Sequence, residues 1–153
     1  MFQTVFSQVR LILAAVIFII APYAHAAEKE VYTSGFSNVA IRGYDPVAYF
    51  NEGKPVKGKD QYSVSLKGAT WRFSSAANRD SFQNNPEKFS PQYGGYCAWA
   101  VSQGYTASTD PEAWHIEKGK LYLNYSKGVQ RQWKQDVPGN IAKGDANWPK
   151  VLE

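Results

Sequence analysis

The sequence is poor in the side chains that carry most protein chemistry. Its 153 residues hold one cysteine, Cys97, one methionine, Met1, and two histidines, His25 and His115. A single cysteine excludes an intramolecular disulfide. With no CxxC pair, a self-contained dithiol oxidoreductase is excluded as well. Long apolar runs are also scarce. The one that stands out, LILAAVIFIIA at residues 11–21, falls short of the roughly 20 residues that span a bilayer. It follows Arg10 in an acid-free start and precedes Ala24-His25-Ala26, a small-x-small cleavage signal. This pattern is that of a secretory leader cut after Ala26. The expectation is export, to a bacterial periplasm, with no stable membrane span after cleavage.

Removal of residues 1–26 would leave 127 residues with no methionine, one histidine and one cysteine. A Met-rich Cu(I) site is then impossible. A Ser-His-Asp triad is not credible, because one imidazole would have to serve every role. There is no nucleotide-binding glycine loop. The remaining 16 basic and 13 acidic side chains give a net charge of +3, with no block of five or six like charges. That reads as a solvated surface and not as a nucleic-acid footprint.

Aromatic residues are what the chain has in quantity: five Trp, ten Tyr and eight Phe. Such rings can build the core of a small domain that no disulfide staples. Residues 27–38 read as a flexible polar lead-in, and residues 39–153 as one domain. Val39–Arg42 is a short strand candidate, and Asp45-Pro46 starts a short helix ending near Gly53. Tyr62, Val64 and Leu66 alternate, Lys67-Gly68 turns, and Thr70–Phe73 return as a hairpin. Ser75 caps a helix that Pro86 interrupts. A further helix runs from about Tyr96 to Gln103, with Gly104 at its stop position. Trp114–Ile116, the Lys118-Gly119 turn and Leu121–Tyr125 form a second hairpin. Two more helices follow, one over residues 126–136 and one started by Pro138. The predicted fold class is α+β: a single compact domain with two β-hairpins and several short helices.

In order along the chain stand Asp45-Pro46-Val47, Trp71-Arg72-Phe73, Phe82, Asn85-Pro86-Glu87-Lys88-Phe89 and Gly94-Gly95-Tyr96-Cys97. Together they resemble the exported YHS-domain proteins, in particular a longer branch with a Gly-Gly-Tyr-Cys motif and a C-terminal half carrying Trp-His and Trp-Pro. The resemblance runs from about Val39 to Pro149. It implies metal binding, since short YHS modules sit in copper-transporting ATPases and near metal-dependent oxygenases. Many short modules carry cysteine at positions that here are Ala48, Ser74 and Asn78, so that site is absent as usually written. In relatives of the longer branch the Cys97 position can be selenocysteine, which implies a redox or soft-metal role for it.

The residues themselves support more than one reading. Cys97 falls in the first turn of a predicted helix, where free N–H groups and the dipole favour a thiolate. Gly94 and Gly95 would let the backbone approach a ligand or adopt positive φ. Yet Cys97, Ala100 and Val101 also form an i, i+3, i+4 stripe, as a core-facing side would. His115 is either a half-buried structural imidazole or a partner for Cys97. Cysteine with histidine suits Cu(I) or Cu(II), and zinc less well, because two ligands do not close a zinc site. Asp45, Tyr93, Tyr96, Tyr105 and Asp110 are candidate further ligands or pocket residues. The leading expectation is a small exported copper-binding accessory or handling protein using Cys97 and His115, not an enzyme. It would work with a metal-handling or thiol partner protein. The alternatives are a single-cysteine thiol redox protein and a non-catalytic interaction module.

Overall fold

The structure, a computed structural model, describes residues 26–153. Apart from Ala26, the expected leader lies outside the described residues. Two Lys-Gly turns organise the fold. β1 (Lys59–Leu66) and β2 (Ala69–Phe73) pair antiparallel through Lys67-Gly68. β3 (Asp110–Glu117) and β4 (Lys120–Asn124) pair through Lys118-Gly119. Both central residues of each turn have positive φ, 53° and 73° in the first and 50° and 75° in the second. That is the type I′ geometry, whose twist fits a two-residue hairpin.

Short helices surround the hairpins: α1 (Ala48–Asn51), α2 (Ala76–Asn84), α3 (Pro86–Phe89), α4 (Ala98–Ser102), α5 (Lys127–Trp133) and α6 (Val137–Asn147). The fold is α+β, as the sequence predicts. Four of these six helices start at a side-chain cap. Ser75 accepts from Asn78 N–H, Asn85 from Lys88 N–H, Ser126 from Val129 N–H and Asp136 from Gly139 N–H. Each satisfies one N–H that the first turn leaves free.

The strand expected over Val39–Arg42 does not form. Val39 makes one parallel bridge to Thr70, and Ile41–Gly43 curl into a single 3-10 turn. Ile41, Arg42 and Gly43 take φ of 48°, 50° and 82°. This left-handed excursion is uncommon for a β-branched residue. Burial holds Ile41 in place, at 4% exposure. The turn reverses the chain, so that Tyr44 bridges Lys57 and Asp45 N–H reaches Val56 C=O. Periodicity could not show this, because a buried turn and a buried strand leave the same apolar run.

The interior divides into two clusters with β4 between them. The first holds Val47, Tyr49, Trp71, Phe73, Phe82 and, from β4, Leu121 and Leu123. The second holds Tyr93, Tyr96, Val101, Trp133 and, from β4, Tyr122. Successive side chains of a strand point to opposite faces. Residues 121–124 are all buried because each face meets a different core. β3 follows suit: Trp114 and Ile116 pack on the first cluster, while the His115 ring meets Trp133.

Part of the expected lead-in is tied to the domain. Val31 is buried, Tyr32 N–H donates to Gly94 C=O at 2.9 Å, and Glu28 N–H donates to Leu152 C=O at 2.8 Å. Gly94 makes this crossing possible. It has φ of 60°, and a Cβ there would lie 1.8 Å from Glu30 O. Among the described residues, no helix is long and apolar enough to cross a membrane.

Candidate functional site

Cys97 stands immediately before α4 as its N-cap, not inside the first turn. Its backbone N–H donates to Ala107 C=O, and its side chain is 1% exposed. Tyr125 N–H donates to Sγ at 3.2 Å, and Sγ lies 3.7 Å from Asn124 Oδ1. The same Oδ1 accepts from Trp99 N–H at 3.1 Å. Burial pushes the thiol pKa up, against the opposing pull of the Ala100, Tyr125 and Trp99 N–H groups. The sulfur therefore keeps its proton, accepting from Tyr125 and donating to Asn124. This network pins α4 to the end of β4. Asn124 Nδ2 is buried with no partner among the described residues.

His115 sits opposite Tyr122 on the hairpin. Its Nε2 lies 3.2 Å from Glu117 Oε2, and its side chain is 26% exposed. The ring meets Trp133 edge-on, 5.6 Å between centroids. His115 and Asn124 thus belong to one face of β3–β4, since Asn124 is two residues beyond Tyr122. Cys97 reaches that face through Asn124, and His115 through Tyr122. No hydrogen bond joins the two, and each has its own partners. Among the described residues, no three His, Cys, Asp or Glu side chains gather as a metal site would require.

The other expected site residues are dispersed. Tyr93 OH donates to Asp145 Oδ1 at 2.9 Å, and burial raises its pKa well above the ordinary tyrosine value. Tyr96 OH donates to Lys29 C=O, and burial pushes it up to about 12. Tyr105 is exposed. Asp110 accepts from Glu112 N–H in a local turn. Gly94 and Gly95 both take positive φ, and at Gly94 the approaching group is the chain's own Glu30 carbonyl.

Asp45 is the most heavily committed of these groups. It is fully buried. Oδ1 accepts from Val47 N–H at 2.8 Å and Ala48 N–H at 3.3 Å. Oδ2 accepts from Ser74 N–H and Ser74 Oγ–H, both at 2.8 Å, and from Asn78 Nδ2 at 2.7 Å. Ala48, Ser74 and Asn78 are the positions at which the resemblance leads one to look for cysteine. The residues present do not fit a soft metal there: no sulfur or imidazole is among these groups.

An open cleft of about 460 Å³ lies where the lead-in crosses the domain. Trp71, Tyr93 and Trp148 line it, with Glu87, Lys120 and Asp145 around them. Sequence reasoning missed Lys120 and Asp145, which are 25 residues apart and line the same cleft only because the fold brings them there. It also missed Asn124 as the partner of Cys97. The signal for Asn124 was an amide closing the apolar run Leu121–Leu123.

Residues 47–93 match the family model of the YHS domain. No curated protein and no solved structure matches the chain. The matched stretch covers α1, both strands of the first hairpin, α2 and α3, and stops before Cys97 and His115.

Proposed function

We propose, from the YHS module at residues 47–93, that the chain is an exported accessory module that works by binding and catalyses no reaction of its own. One observation carries this reading: Cys97 is sealed in the core as a protonated thiol between Asn124 and Tyr125. A redox thiol needs exposure and a lowered pKa, and burial has the opposite effect here. Asp45 is equally committed to internal donors. Groups open to a ligand or partner include those of the cleft beside Trp148, where aromatic faces adjoin charges of both signs.

YHS domains are associated in general with copper binding or handling. Copper handling through Cys97 and His115, with zinc less suited, is the second reading. What favours it is that the two residues serve one face of the β3–β4 hairpin. It requires α4 to move, so that the thiol leaves Asn124 and a third ligand enters. That ligand could come from a metal-handling partner protein.

Titration of the reduced protein with Cu(I) against a competing chelator, beside Cys97→Ser and His115→Ala, separates the two. The accessory-module reading expects no one-to-one binding and a slow thiol-reagent reaction. Tight one-to-one binding lost in both variants would replace it with the copper reading. Rapid thiol modification without copper binding would point to thiol chemistry with a partner.

A further inference from the structure

We infer that the YHS module's ligand position is closed in this chain by the Asp45 carboxylate, whose hydrogen bonds join the three segments that a bound ion would otherwise cross-link, so the module needs no metal there. This rests on the cysteine positions that the YHS resemblance implies, and not on the accessory role proposed above.

A cation site presents lone pairs to its ion, but the groups around Asp45 present hydrogens. Five donors converge on its two oxygens: the amides of Val47, Ala48 and Ser74, the Ser74 hydroxyl and the Asn78 side-chain amide. A carboxylate offers about four lone-pair positions, so none is left to bind a cation. The donors come from the start of α1, the end of β2 and the first turn of α2. Those three segments also share the first hydrophobic cluster, and Asp45 adds a polar link among them. The carboxylate is met by these donors, and among the described residues no Lys or Arg pairs with it.

The side chains at 74 and 78 point at one another as well as at Asp45. Ser74 Oγ and Asn78 Nδ2 are 3.3 Å apart. Two thiolates on one tetrahedral ion stand roughly 3.8 Å apart, given metal–sulfur bonds of about 2.3 Å. Residues 74 and 78 thus face one another across a gap of that order, with Asn78 Nδ2 reaching one atom beyond where a cysteine Sγ would stand, and neither carries sulfur.

Two arms test this on the full chain. In the first, the native protein is melted with and without a strong chelator. In the second, Ser74→Cys/Asn78→Cys is titrated with Cd²⁺, following the sulfur-to-metal absorption, with Cys97→Ala added so that the native thiol cannot report. The expected results are an unmoved melting temperature for the native chain and one Cd²⁺ per chain gained by the cysteine variant. A chelator-induced drop in the native melting temperature, together with metal uptake lost in Asp45→Asn, would overturn the inference. So would a cysteine variant that is folded by circular dichroism yet takes up no Cd²⁺. The chelator arm needs no variant and stands whether or not the cysteine protein folds. Copper binding that depends on Cys97 and His115 but not on Asp45 would answer the earlier question and leave this one intact.

Discussion

At Cys97 the decisive quantity is the difference between a sulfur in water and the same sulfur behind α4. Its pKa is raised from the ordinary 9.0 by burial. The unfolded chain therefore loses the thiol proton first as pH rises, and that favours unfolding. The contribution of Cys97 to stability is complete below pH 9 and is lost as pH climbs from there toward the folded value. Denaturant midpoints between pH 9 and 10 should fall for the native chain and fall less for Cys97→Ala. The same trend should continue above pH 10 in both proteins, because burial raises Tyr49, Tyr93, Tyr96 and Tyr122 as well. Asp45→Ala is the more damaging change. It strands five donors at once, and a cost of roughly 3–5 kcal/mol is expected from equilibrium unfolding. The role of Asp45 was half legible. The Asp-Pro pair announced a helix start, and Asp45 does hold Val47 and Ala48 N–H. Its bonds to residues 74 and 78 depend on the fold and leave no local trace.

Among the elements, those with their own turn or cap chemistry were readable. Lys67-Gly68 and Lys118-Gly119 mark hairpins because glycine takes the positive φ that a two-residue turn requires. Ser75 marks a helix start, and Pro138 stands in the first turn of the last helix, whose cap Asp136 the sequence reading assigned to the helix before. What could not be read was how elements cross. The segment at residues 28–33 looks like a loose polar lead-in, but it meets the domain where Gly94 leaves room for Glu30. Gly94→Ala should cost about 1–3 kcal/mol, combining a strained φ with a displaced strand crossing. Limited proteolysis within residues 27–33 should be faster in that variant, whereas a merely local strain would leave the cleavage rate unchanged. The Val39–Arg42 expectation failed for a related reason. The apolar run was real, and tertiary packing used it for a turn.

For the molecule as a whole, the YHS match and the folding unit do not coincide. The matched stretch ends at Tyr93, but the core around Trp71, Phe73 and Phe82 is completed by Leu121 and Leu123. A chain cut after residue 93 should show no cooperative melting by circular dichroism, while the full chain should melt in one transition. A sharp, independent transition for the shorter chain would mean that β4 is dispensable to the first core. Two fully buried leucines carry roughly 2–5 kcal/mol each in such settings, against a total of about 5–15 kcal/mol.

β4 also sets the slowest motion of the protein. Its backbone is walled in by a separate core on each face, so neither core can open alone and wet it. The amide protons of His115 and Tyr122, which face each other at a hydrogen-bonded position of the hairpin, should be among the last to exchange with solvent deuterium, at a rate that tracks complete unfolding. Any denaturant that slackens one half should speed exchange in that half and leave these amides protected. The β3–β4 hairpin is thus the place where the global stability of the domain can be read from two protons.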